Sequence, residues 1–131
     1  MAEGLAREFA AQRSILVETD SAGTLGLIDR QAAANARAVL LELGINIDDH
    51  RSKGLSNELV DWADRVLVMT YDHASFVHEH YPQLGLKVEL LGPYGGRNPE
   101  LADPVGSWKR RFRKSRGELT ACVEGLLDRL D

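Results

Sequence analysis

The stretch "RVLVMT" (Arg65–Thr70) is an unbroken apolar run, rich in valine and too short for a core helix, and it reads as a strand buried on both faces. After it, Asp72–Tyr81 has helical character and Pro82 ends it. "LKVELLG" (Leu86–Gly92) then supplies a second apolar run of strand length. Toward the N-terminus, Ser56 can cap a short helix running through Trp62, with Glu58 favourably placed in its first turn. Farther back, Arg30–Leu43 carries Ala36, Val39, Leu40 and Leu43 at helical spacing, and Gly44 follows as a C-terminal cap. "RSILVET" (Arg13–Thr19) is the remaining candidate strand, preceded by the helix-like "MAEGLAREFA" (Met1–Ala10) with Leu5 and Phe9 four apart. A last helix from about Ser107 to Leu130 puts Leu119, Cys122, Val123, Leu126, Leu127 and Leu130 on one stripe. Strands alternating with helices predict an α/β domain, a parallel sheet covered by helices on both faces. Residues 1–131 read as one such domain.

Composition narrows the functions. Sixteen Lys and Arg stand against twenty Asp and Glu, a net charge of -4, which argues against wholesale binding to nucleic acid or an anionic membrane. No apolar run approaches the roughly 20 residues of a membrane span, and no basic segment leads into an apolar core at the start, so a cytoplasmic protein is expected. The single cysteine, Cys122, rules out an internal disulfide and a cysteine-based metal cage. Its place on the apolar stripe of the last helix predicts an inert packing thiol.

Several short motifs occur in a fixed order: "SAGT" (Ser21–Thr24) after an apolar run, "GI" then "HRS" (His50–Ser52), "ADRVLVMT" (Ala63–Thr70), "ELLGPY" (Glu89–Tyr94) and "ADPVG" (Ala102–Gly106). Together they resemble the low-molecular-weight protein tyrosine phosphatases, and the resemblance runs from Met1 into the final helix. It implies a three-layer α/β/α fold. In that family a buried first strand and a phosphate loop, C-x-x-x-x-x-R-[ST], precede a helix that begins M-A-E or I-A-E. This sequence begins at that methionine, so the resemblance implies a domain whose first strand, nucleophilic cysteine and loop arginine are missing.

The acid side of the chemistry is represented. By resemblance, Asp103 of the Asp-Pro pair is the general acid that protonates the leaving oxygen and then the base that activates water. Pro104 biases it toward extended backbone. Ser21 and His50 match a supporting hydrogen-bond network around the phosphate loop. The family's D-P-R-A is replaced by "NARA" (Asn35–Ala38), and Val105 and Gly106 stand where an aromatic residue often grips the substrate ring.

Other clusters carry less. "HEH" (His78–His80) places two histidines on a predicted helix with side chains about 200° apart, which cannot share a metal. No metal or cofactor is expected. "KRRFRKSR" (Lys109–Arg116) packs six basic residues into eight positions, either as a solvated face or as a surface for an acidic partner, nucleic acid or a phosphorylated ligand beside the Asp103 loop.

Two functions stay open: a phosphatase acting on phosphotyrosine proteins or small aryl phosphates but inactive without its nucleophile loop, or a non-catalytic phosphatase-like binding module. A missing central strand would remove several buried apolar side chains worth roughly 1.5–3 kcal/mol each. Direct pairing of Arg13–Thr19 with Arg65–Thr70, or a homodimer covering the opening, is expected to compensate.

Overall fold

The computed structural model describes residues 1–130. In chain order its elements are α1 (Ala2–Gln12), α2 (Ala34–Leu41), α3 (Asn57–Trp62), β1 (Val66–Val68), α4 (Tyr71–His80), β2 (Val88–Leu90) and α5 (Lys109–Leu130), with 3₁₀ segments at Pro82–Lys87 and Gly92–Gly95. β1 and β2 pair in parallel, Val66 opposite Val88 and Val68 opposite Leu90.

The alternation of side chains along these strands builds three layers. Val66, Val68, Val88 and Leu90 point to one side, into a cluster with Val60 of α3, Val77 of α4 and Leu84. Leu67, Met69 and Leu91 point to the other, against Leu5 of α1, Leu40 of α2 and the stripe Leu119, Cys122, Val123, Leu126 and Leu127 of α5. The predicted α/β/α architecture is therefore present. Among the described residues no helix is long and apolar enough to cross a membrane.

Local chemistry sets the element ends. Ser56 caps α3, its hydroxyl accepting from the Leu59 amide at 3.1 Å, and Thr70 caps α4 in the same way through His73. The Thr70 cap is why β1 stops at Val68, short of the apolar run. α2 starts only at Ala34 because Gln31 is engaged in a bridge with Arg51, and it ends into Gly44 at φ 78°, where glycine is favoured.

One predicted element is absent. Arg13–Thr19 is not a strand, and it does not pair with Arg65–Thr70; among the described residues β1 has β2 as its sole strand partner. The chain turns out of α1 through Ser14 at φ 57°, with the Ile15 amide bonded back to the Ala10 carbonyl, and Leu16 then lies fully exposed. Propensity alone does not make a strand without a neighbour to accept its hydrogen bonds.

α5 sits very close to the Gly92–Gly95 turn. A Cβ on Gly125 would collide with the Tyr94 carbonyl, one on Gly95 with Cys122 Sγ, whereas one on Gly117 would meet nothing. Gly125→Ala is expected to lower stability by about 1–3 kcal/mol through overpacking. Gly117→Ala on the same helix is expected to raise it by roughly 0.5–1 kcal/mol. Urea midpoints of the two variants check the pair, and equal effects would contradict this packing.

Candidate functional site

The start of α1 is the meeting point of three distant segments. Glu3, in the first turn, accepts a hydrogen bond from Ser21 Oγ at 2.6 Å, and His50 Nδ1 lies 3.8 Å from the same oxygen. Arg7, one turn on, pairs with the other carboxylate oxygen. An acid at this helix end is also favoured by the positive field of the unsatisfied amides.

The loop bearing Ser21 and the loop bearing His50 are laced together. The Gly23 amide donates to the Lys53 carbonyl at 2.9 Å, Asp29 and Arg30 amides reach Ser52, and the Ser52 amide returns to Arg30. Asp20 accepts from the Ser21 amide at 2.8 Å and from Lys53 Nζ at 2.6 Å. Burial would raise its carboxyl, but Lys53 and the Ser21 amide outweigh that and hold it below its ordinary pKa.

Asp103 stands on a separate loop. The Leu101 amide donates to the Met69 carbonyl at 2.9 Å, which anchors this loop at the carboxyl end of β1, the usual place for ligands in open α/β sheets. Two residues later Asp103 is exposed, and its Oδ1 accepts from the Val105 amide at 3.0 Å, an Asx turn that fixes the carboxylate. Burial lowers the pKa of the Met1 ammonium, while the Glu3 and Asp103 carboxylates pull it upward. Ser21 and His50 thus meet at Glu3 in the first turn of α1, while Asp103 lies on the loop that Leu101 anchors at the end of β1.

A profile of the family described as low molecular weight phosphotyrosine protein phosphatase matches residues 1–131. The chain belongs to this family. It is similar to a protein-arginine-phosphatase of Geobacillus stearothermophilus, 35% identical over 87% of this chain and 77% of the relative. It is also similar to the low molecular weight protein-tyrosine-phosphatase Ptp of Acinetobacter johnsonii, 29% identical over 94% of this chain and 82% of the relative. Among solved structures, a YwlE mutant from Bacillus subtilis superposes with a TM-score of 0.92 at 29% identity, covering 98% of this chain and 87% of that one.

Other side chains of this family member take structural roles. Cys122 is 2% exposed, and its Sγ lies 3.6 Å from the Gly92 carbonyl. Burial raises its pKa, the Gly95 amide opposes this, and Glu118 adds to it, so the thiol stays protonated. His78 reaches the Gly85 carbonyl at 3.1 Å and His80 the Phe76 carbonyl at 2.9 Å, two separate backbone partners. Glu3 and Met1 were missed by sequence reasoning. The available signal was an acid in the first turn of a helix, common enough to carry no function without its partners.

Native protein is expected to leave Cys122 unmodified by an aromatic disulfide reagent and to release one equivalent of thiolate product only on unfolding. Rapid reaction of the folded chain would contradict the burial of this thiol.

Proposed function

We propose that this protein has phosphoprotein phosphatase architecture with the acid–base half of its site in place, and that the 131-residue chain does not itself turn over phosphate esters. The observations that support the assignment are the meeting of Ser21 and His50 on Glu3 at the start of α1 and the fixing of Asp103 by an Asx turn on the loop at the carboxyl end of β1. An α-helix N-terminus offers unpaired amides and a positive field to an anion, and a carboxyl group fixed by an Asx turn at the end of the sheet can exchange a proton with a leaving group. Asp103 is the proton donor in this proposal. Ser21 and His50 are positioning residues, acting through Glu3. The ligand is a phosphorylated protein side chain, phosphotyrosine or, after the Geobacillus relative's name, phosphoarginine. A small aryl phosphate is a surrogate.

Displacement at phosphorus by the route the family resemblance implies requires a thiolate within a cradle of amide donors. The 131 residues hold one cysteine, and its thiol is packed against Gly92 with its pKa raised. That burial also supports the second reading, a phosphatase-like module that binds without reacting.

The purified 131-residue chain is expected to hydrolyse neither p-nitrophenyl phosphate nor phosphoarginine above background. Turnover that disappears in the Asp103→Ala variant would sink the claim of inactivity. It would also identify Asp103 as the working acid.

A further inference from the structure

The basic run Lys109–Arg116 is divided in two by the helix that carries it. Arg113 and Arg116 turn toward α2, where Glu42 accepts from both, at 2.8 and 2.7 Å, and Arg116 also donates to the Val39 carbonyl at 2.7 Å. Arg113 first and Arg116 second hold the Glu42 carboxyl down at about 2. Phe112, just before Arg113, is buried with Ala36 and Val39. This half of the run fastens α5 to α2.

The other half has no such partner. Arg110, Arg111 and Lys114 line a groove of about 420 Å³ whose opposite wall is Ala102, Asp103 and Pro104. Among the described residues none of these three cations makes a salt bridge. Their position is electrostatically poor. They occupy the first turns of a helix whose N-terminal field is already positive, no acidic residue stands in the first turn, and Arg110 and Lys114 are like charges four apart. The same sequence neutralises its two cations on the α2 side. Local rules broken on one face of an element and obeyed on the other point to a use for that face.

We propose that this groove docks an acidic, extended peptide segment, the stretch flanking the phosphorylated residue of a protein substrate. The inference rests on the function proposed above, because one wall of the groove is the Asp103 loop. Charge complementarity names the occupant: side-chain carboxylates spaced along a peptide can meet the three cations individually. A continuous phosphate backbone fits less well, since its evenly spaced charges cannot avoid Asp103 and Glu118, which also line the groove. Past Lys114 and Glu118 a second hollow of about 640 Å³ continues along α5 beside Gly117 to Arg97. The small residue at 117 leaves that path open for several residues of extended chain.

The test is fluorescence anisotropy at low salt with the whole 131-residue chain. The probe is a fluorescein-labelled peptide of alternating glutamate and glycine; glutamine replaces glutamate in the control, and a labelled single-stranded oligonucleotide is the competing ligand. The glutamate peptide is expected to bind, to weaken with added salt, and to bind roughly tenfold more weakly when Arg110→Ser, Arg111→Ser and Lys114→Ser are combined. Lys87→Ser, at the far end of β2, is expected to change nothing. Should the triple variant lose its circular dichroism, Arg111→Glu alone is expected to weaken binding in the same direction. Equal binding of the two peptides, wild-type affinity in folded charge variants, or tighter binding of the oligonucleotide would overturn the proposal. No turnover is read, so failure to bind the glutamate peptide leaves the assignment of Asp103 standing, and phosphatase activity in the separate assay leaves the docking groove standing.

Discussion

The Glu3 carboxylate is the joint on which the site depends. Its side chain is only 13% exposed, yet it receives Ser21 Oγ at 2.6 Å, faces His50 at 3.8 Å and pairs with Arg7. A carboxylate this far removed from water is tolerable only with donors around it, since an unpaired buried charge is costly. The positive field at the start of α1 adds to the same balance. Glu3 therefore ties two loops that have little regular structure of their own to a helix that does. Without it, Ser21 and His50 would keep their loop lacing but lose their common anchor.

The second constraint is the seat of α5. Gly95 and Gly125 allow the helix to approach the Gly92–Gly95 turn to backbone contact, and the apolar stripe from Leu119 to Leu127 closes the core beneath α1 and α2. Three consequences follow from that one approach. Cys122 is sealed against the Gly92 carbonyl and stays a thiol. The Ala102–Ser107 loop, which carries Asp103, is strung between the end of β1 and the start of α5. The basic run is phased so that Glu42 takes Arg113 and Arg116 while Arg110, Arg111 and Lys114 border the Asp103 loop. Fold and site are joined through packing that small residues make available.

What was legible in the sequence was whatever depends on local pattern. The valine-rich run at Arg65–Thr70, the caps at Ser56 and Gly44, and the apolar stripe of α5 each announce themselves within a few residues, and each is present. Order of motifs singled out Ser21, His50 and Asp103 as candidates. Arg13–Thr19 failed because strand formation is relational: its β-branched residues satisfy propensity, but Leu16 points into solvent and no ladder forms. The start of α2 failed for a related reason, since Gln31 is drawn to Arg51 by a pairing twenty positions away in the chain that periodicity does not register. Glu3 was invisible because its partners lie in loops, and the split of the basic run was invisible because it depends on where Glu42 stands.

A double-mutant cycle on folding stability between Ser21→Ala and Glu3→Gln tests most directly whether the two loops and α1 form one site. A hydrogen bond to a partly buried carboxylate predicts a coupling of about 1–3 kcal/mol between the two substitutions. Strictly additive effects would mean that Ser21 does not lean on Glu3, and the site assembled about the start of α1 would not exist as described.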